Sequence, residues 1–149
     1  MEKKYRFGFD IWGLILFLII MIPNFVWFAV PAPNDLLRED SVTAVFDMIA
    51  SICQVIMIIL LCVLINNHVK KRNASRSIVI CAVCVTLYFV SWILYYNGIT
   101  NAVVIVGLTL FPCMAFQFYA MDRKNFIAMI PIVIFTICHF IYGFVNFVI

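Results

Sequence analysis

An aspartate and a histidine set inside apolar sequence are the residues best able to do chemistry in this chain. Asp47 lies in the run VTAVFDMIASICQVIMIILLCVLI, and His139 lies in FTICHFIYGFVNF. An ionisable group in such a run is costly unless it faces protein or water. Ser51 and Gln54 follow Asp47 at i+4 and i+7, so a helix sets all three on one face. Around His139, Thr136, Gly143 and Asn146 fall at i−3, i+4 and i+7, with Tyr142 at the border of that face. A carboxylate and an imidazole brought together can hold a ligand, relay a proton or act as an acid/base pair. The plain structural alternatives are an interfacial Asp47 reaching headgroups and a His139 that bonds a neighbouring helix.

Further polar residues lie close to helix-bending ones. Asn24 directly follows Pro23, and Thr109 precedes Pro112, with Gln117 beyond. A proline within a helix frees a carbonyl one turn earlier and bends the axis. Beside a polar residue such a bend can open a cavity. Tyr88, Ser91 and Tyr95 share a helical face, flanked by Trp92 and Tyr96. These aromatics suit the wall of a site for an apolar or cationic ligand, or an interfacial belt. Cys81 and Cys84 make a CxxC, but no second cysteine pair stands in a loop to exchange with it. Redox chemistry and zinc binding both lack support from the spacing. The chain has no GxSxG, HExxH, P-loop, GxxxG or selectivity-filter run. No cofactor or metal is expected, and no catalytic residue is assigned.

The elements that must carry these residues follow from composition. The 149 residues are 66% hydrophobic and 11% charged. Globular chains are about 45–50% apolar and about 25% charged, so the bilayer must be the solvent for most of this one. Five apolar runs, about 11–30, 42–65, 77–96, 102–121 and 126–149, are each long enough to cross ~30 Å of hydrocarbon as a helix. Unbroken stretches such as IVICAVCVTLYFV do not alternate as a membrane β-strand would. The expected fold is all-α: a single transmembrane domain built as a five-helix bundle.

Charge sets the expected orientation. Nine of the ten basic residues fall in three segments: Lys3, Lys4 and Arg6; Lys70, Lys71, Arg72 and Arg76; Arg123 and Lys124. Arg38 stands alone on the other side, beside Asp35, Glu39 and Asp40. The positive-inside rule then gives a cytoplasmic N-terminus and an outer C-terminus. Cleavage of the first run after AVPA is a rival expectation that leaves four helices in the same orientation. The sequon at Asn73 falls on the expected cytoplasmic side. Short turns at 97–101 (NGITN) and 122–125 make the last three helices antiparallel neighbours, with Gly98 free to take a positive φ. High Ile, Phe and Asn usage with little Gly and Ala points to an AT-rich bacterial genome, and so to a bacterial cytoplasmic membrane.

Because the second and fifth helices run oppositely, Asp47 and Asn146 share the outer leaflet, while Gln54 and His139 lie nearer the midplane. The leading expectation is an outward-facing polar and aromatic cavity that binds or translocates a small molecule or lipid. Asp47, Ser51, Gln54, His139, Asn146 and Asn24 are its polar residues, and Trp92 and Tyr95 its walls. Two alternatives are an accessory subunit meeting a membrane-protein partner, and an intramembrane hydrolase using Asp47 with His139. The bilayer is the expected surrounding, and nucleic acid is not an expected partner because no basic face exists.

Overall fold

A computed structural model describes residues 4–38, 41–69 and 75–148. Within them lie five long helices: α1 (Ile11–Ala29), α2 (Ala44–Val63), α3 (Arg76–Tyr96), α4 (Ala102–Asp122) and α5 (Phe126–Phe147). All five are long and apolar enough to cross a membrane. Their starts are chemically marked. Asp10, Ser75, Asn101 and Asn125 each accept a backbone N–H of the following first turn through a side-chain oxygen. The turn between α3 and α4 carries Gly98 at φ +81°, as its sequence requires. The turn between α4 and α5 places Lys124 in the left-handed region at φ +49°.

The helices pack as a row in the order α2, α5, α4, α3, with α1 touching both α2 and α3. Two glycines set the close approaches in that row. A side chain at Gly107 would run into Ser91 of α3, and one at Gly143 into Thr109 of α4. α4 stands mid-row and is the most enclosed helix. The fully buried centre is large and mostly apolar: Met57, Tyr95, Ile105, Phe116 and Ile132.

The second apolar run does not stay helical to residue 65. Leu64–Asn66 forms β2, paired antiparallel with β1 (Tyr5–Phe7), with Arg6 opposite Ile65. The residues there are apolar enough for either state. The arrangement is fixed by Asn125, almost wholly buried, whose Nδ2 donates to the carbonyls of both Leu60 and Leu64 at 2.9 Å. It adds a side-chain donor at the helix end, where the Leu60 carbonyl also accepts the Leu64 N–H.

The same end of the bundle gathers the basic segments. The Tyr5 hydroxyl and the Asn66 amide both donate to the Lys124 carbonyl, and Ser75 bonds Asp122. Lys4, Arg6, Arg76, Arg123 and Lys124 therefore flank one end, with Arg38 at the other. Lys3, Lys70, Lys71, Arg72, the sequon residue Asn73, and Glu39 and Asp40 lie outside the described residues.

α1 leans across the row. At its start it is tied to α2: Gly8 N–H donates to the Val63 carbonyl and Asp10 N–H to that of Cys62. Gly13 lets α1 come so close that a Cβ there would sit 3.2 Å from the Leu61 carbonyl oxygen. The Tyr119 hydroxyl and Arg123 both bind Asp10 from α4 and the turn after it. Toward its far end α1 is tied to α3 instead. Asn24 Nδ2 donates to the Tyr88 hydroxyl at 2.8 Å, and the Tyr96 hydroxyl donates to the Val30 carbonyl at 2.7 Å. The two helices α1 and α2 thus meet at one end and part toward the other.

Candidate functional site

The space left where α1 and α2 part is a cavity of about 470 Å³, drawn from all five helices. α1 contributes Asn24, Trp27 and Phe28; α2 contributes Asp47, Ala50, Ser51 and Gln54. α3 adds Tyr88 and Trp92, α4 adds Thr109, Pro112 and Phe116, and α5 adds Phe135, His139 and Tyr142. Leu37 and Ser41, from the segment joining α1 to α2, lie at its end. That volume falls in the range of small-molecule sites, about 300–1,000 Å³.

Six of the eight residues singled out from sequence line this one cavity: Asp47, Ser51, Gln54, Asn24, His139 and Trp92. The other two, Asn146 and Tyr95, lie behind its lining. Asn146 is spent on the backbone turn before α2. Its Oδ1 accepts the Val42 N–H at 2.8 Å and its Nδ2 donates to Thr43 Oγ1 at 2.7 Å. Tyr95 is fully buried, donates to Asp35 Oδ1 at 2.8 Å and accepts the Leu37 N–H at 3.1 Å. In both cases the segment between α1 and α2 takes up the polar atoms.

Asp47 is held by that same loop. Ser41 Oγ donates to its Oδ2 at 2.5 Å and Thr43 Oγ1 to its Oδ1 at 3.3 Å. A chain of contacts thus runs from Asn146 through Thr43 to the carboxylate. Among the described residues no Lys or Arg forms an ion pair with Asp47. His139, half-buried on α5, lines the cavity and is stacked on Phe135 at 5.0 Å and on Tyr142 at 6.0 Å between ring centres. Asp47 and His139 face one cavity without a hydrogen bond between them.

Three polar groups lining the cavity have unused capacity. Gln54 and His139 form no hydrogen bond among the described residues. The buried indole N–H of Trp92 lies near the Tyr88 hydroxyl but has no partner in hydrogen-bond geometry. A buried donor left unpaired is expensive, and a bound ligand is one way to satisfy it. Trp92 also stands edge-on to Tyr88 and Tyr95, which fixes its ring. Asn24, by contrast, is committed to Tyr88 and to the Ile20 carbonyl.

Beyond the cavity, Asp35 makes a latch. It accepts from Trp27 Nε1 at 2.9 and 3.0 Å, from the Tyr95 hydroxyl and from Arg38. Burial alone would raise its pKa, but these donors outweigh it and hold the carboxyl below its ordinary 3.8. The sequence holds a faint signal for this residue, an aspartate three positions before the arginine that stands apart from the three basic segments. Ser41 and Leu37 carried no signal, because loop residues have no periodicity to place them. The six cysteines are all free and buried, Cys81 and Cys84 among them. Among the described residues no group of three or more His, Cys, Asp or Glu side chains is arranged to hold a metal.

No protein-family model, curated protein or solved structure matches this chain.

Proposed function

We propose that this chain is a multi-pass membrane protein of a bacterial cytoplasmic membrane, N-terminus inside, that binds or translocates a small molecule or lipid in the cavity between α1 and the other four helices. The observation that carries the reading is the convergence of Asp47, His139, Gln54 and Trp92 on one space. Polar groups inside an apolar bundle are costly, and here several have no protein partner to offset that cost.

The surroundings agree. Outward faces of the helices are apolar, with Ile52, Val55 and Ile59 on α2 and Ile130, Ile134 and Ile137 on α5 exposed. An exterior of that kind suits hydrocarbon rather than water. The described basic side chains flank one end with a single exception, as a cytoplasmic end would have them. A fluorescent protein fused to the N-terminus should glow in bacterial cells and one exported at the C-terminus should stay dark; the reverse pattern overturns the orientation.

An acid/base mechanism gains less support. The Asp47 carboxylate is engaged by Ser41 and Thr43 rather than by His139. The binding reading is tested by native mass spectrometry of the protein released from mild detergent. The wild type should carry a bound organic molecule or lipid, and Asp47→Asn and His139→Ala should each lose most of it. A ligand-free wild type that purifies with a stoichiometric protein partner would favour an accessory subunit instead.

A further inference from the structure

The charge and wall chemistry of the cavity go further than its existence. Among the described residues its lining holds one carboxylate, Asp47, and no Lys or Arg. Neutral hydroxyls bond that carboxylate, and no described cation pairs with it. Aromatic side chains line the space with it: Tyr88, Trp92, Phe135 and Tyr142, and Trp27, whose ring also carries the Arg38 guanidinium at 5.0 Å. An uncompensated anion among aromatic rings is the chemistry that recognises an organic cation, through the ion pair and the ring quadrupoles together. An anionic ligand would meet Asp47 without any counter-charge.

The opening has a direction too. α1 is bonded to α2 at its start and to α3 at its far end, so the cavity widens between α1 and α2. Ser51 and Phe28 line the cavity and are also exposed on the outside of the bundle. Beside them Phe25 and Val55 present apolar rims. A ligand with an apolar body can therefore enter sideways, its apolar part still in hydrocarbon.

Resting on the binding reading above, we propose that the cavity selects a hydrophobic cation, an ammonium-type group on an apolar body, admitted laterally between α1 and α2. Two sources share that chemistry: a free lipophilic amine, and the headgroup of an aminophospholipid.

The test uses the isosteric pair tetraphenylphosphonium and tetraphenylborate, titrated against the full-length protein in phosphatidylglycerol nanodiscs. Binding is read by quenching of tryptophan fluorescence. The phosphonium should bind, and Asp47→Asn should weaken it by about tenfold or more, as loss of a charge-assisted contact does. Gln54→Lys, which puts a cation into the same space, should abolish phosphonium binding and admit the borate. That variant keeps the test decisive if Asp47→Asn folds poorly. Borate binding as tight as phosphonium binding, or phosphonium binding indifferent to both variants, overturns the cation assignment while leaving the cavity a binding site. Failure of both ions, with no lipid retained, overturns the binding reading as well. Retention of phosphatidylethanolamine from a mixed membrane, displaced by the phosphonium, assigns the lipid source; phosphonium binding unaffected by that lipid assigns the free amine.

Discussion

At the scale of single residues, Asp35 and Asp47 show how one side-chain type serves two purposes. Asp47 is held by two hydroxyls and faces the cavity, whereas Asp35 is wrapped by donors and faces none. The Asp35 side chain is only 10% exposed, and its contacts join α1, α3 and the segment between α1 and α2. Its folded pKa lies below the ordinary 3.8, so its contribution is fully present above that value and is lost as pH falls through the folded value. The tryptophan emission of Trp27 should therefore shift as pH falls below 3.8, as the indole loses its carboxylate partner. Asp35→Asn should show the shifted emission already at neutral pH and no acid transition of its own. An acid transition unchanged in Asp35→Asn would assign it to another group.

Helices and turns were the more legible level. The five helices fall where apolar length puts them, and Gly98 takes the positive φ that its turn demands. The end of α2 was not legible, because Leu64 and Ile65 suit a helix or a strand equally and a distant residue, Asn125, decides between them. Nor was the split fate of the His139 stripe. Thr136 accepts a hydrogen bond from Gln117, Gly143 receives Thr109, and Asn146 holds the loop, so His139 and its neighbour Tyr142 are left to the cavity. Spacing places residues on a face, but a helix face can meet two or three different neighbours along its length. The contact at Gly143 makes a prediction for this level. Gly143→Val drives a three-carbon side chain into Thr109 and should cost about 1–3 kcal/mol of thermal stability, as overpacking does. Thr109→Ala on that background should recover much of the loss; no recovery would mean that α4 and α5 do not meet there.

For the molecule as a whole, the decisive feature is the oblique course of α1. Four helices pack as a continuous row, and the fifth is pinned to α2 at one end and to α3 at the other. No helical pattern in the sequence shows that tilt, since it arises from contacts more than fifty residues apart, such as Asp10 to Cys62 and Asn24 to Tyr88. The packing of α2 on α5 sets Asp47 and His139 on one side, and α1 lies over that side and adds Asn24 to the same space. The central claim is that this space is a binding site. Ala50, small and buried on its wall, allows the space to be filled without touching a polar group. Native mass spectrometry of the wild type beside Ala50→Phe tests the claim most directly. The account predicts a bound organic mass on the wild type and its loss from a folded, monodisperse Ala50→Phe protein; the same bound mass on both, or none on the wild type, would contradict it.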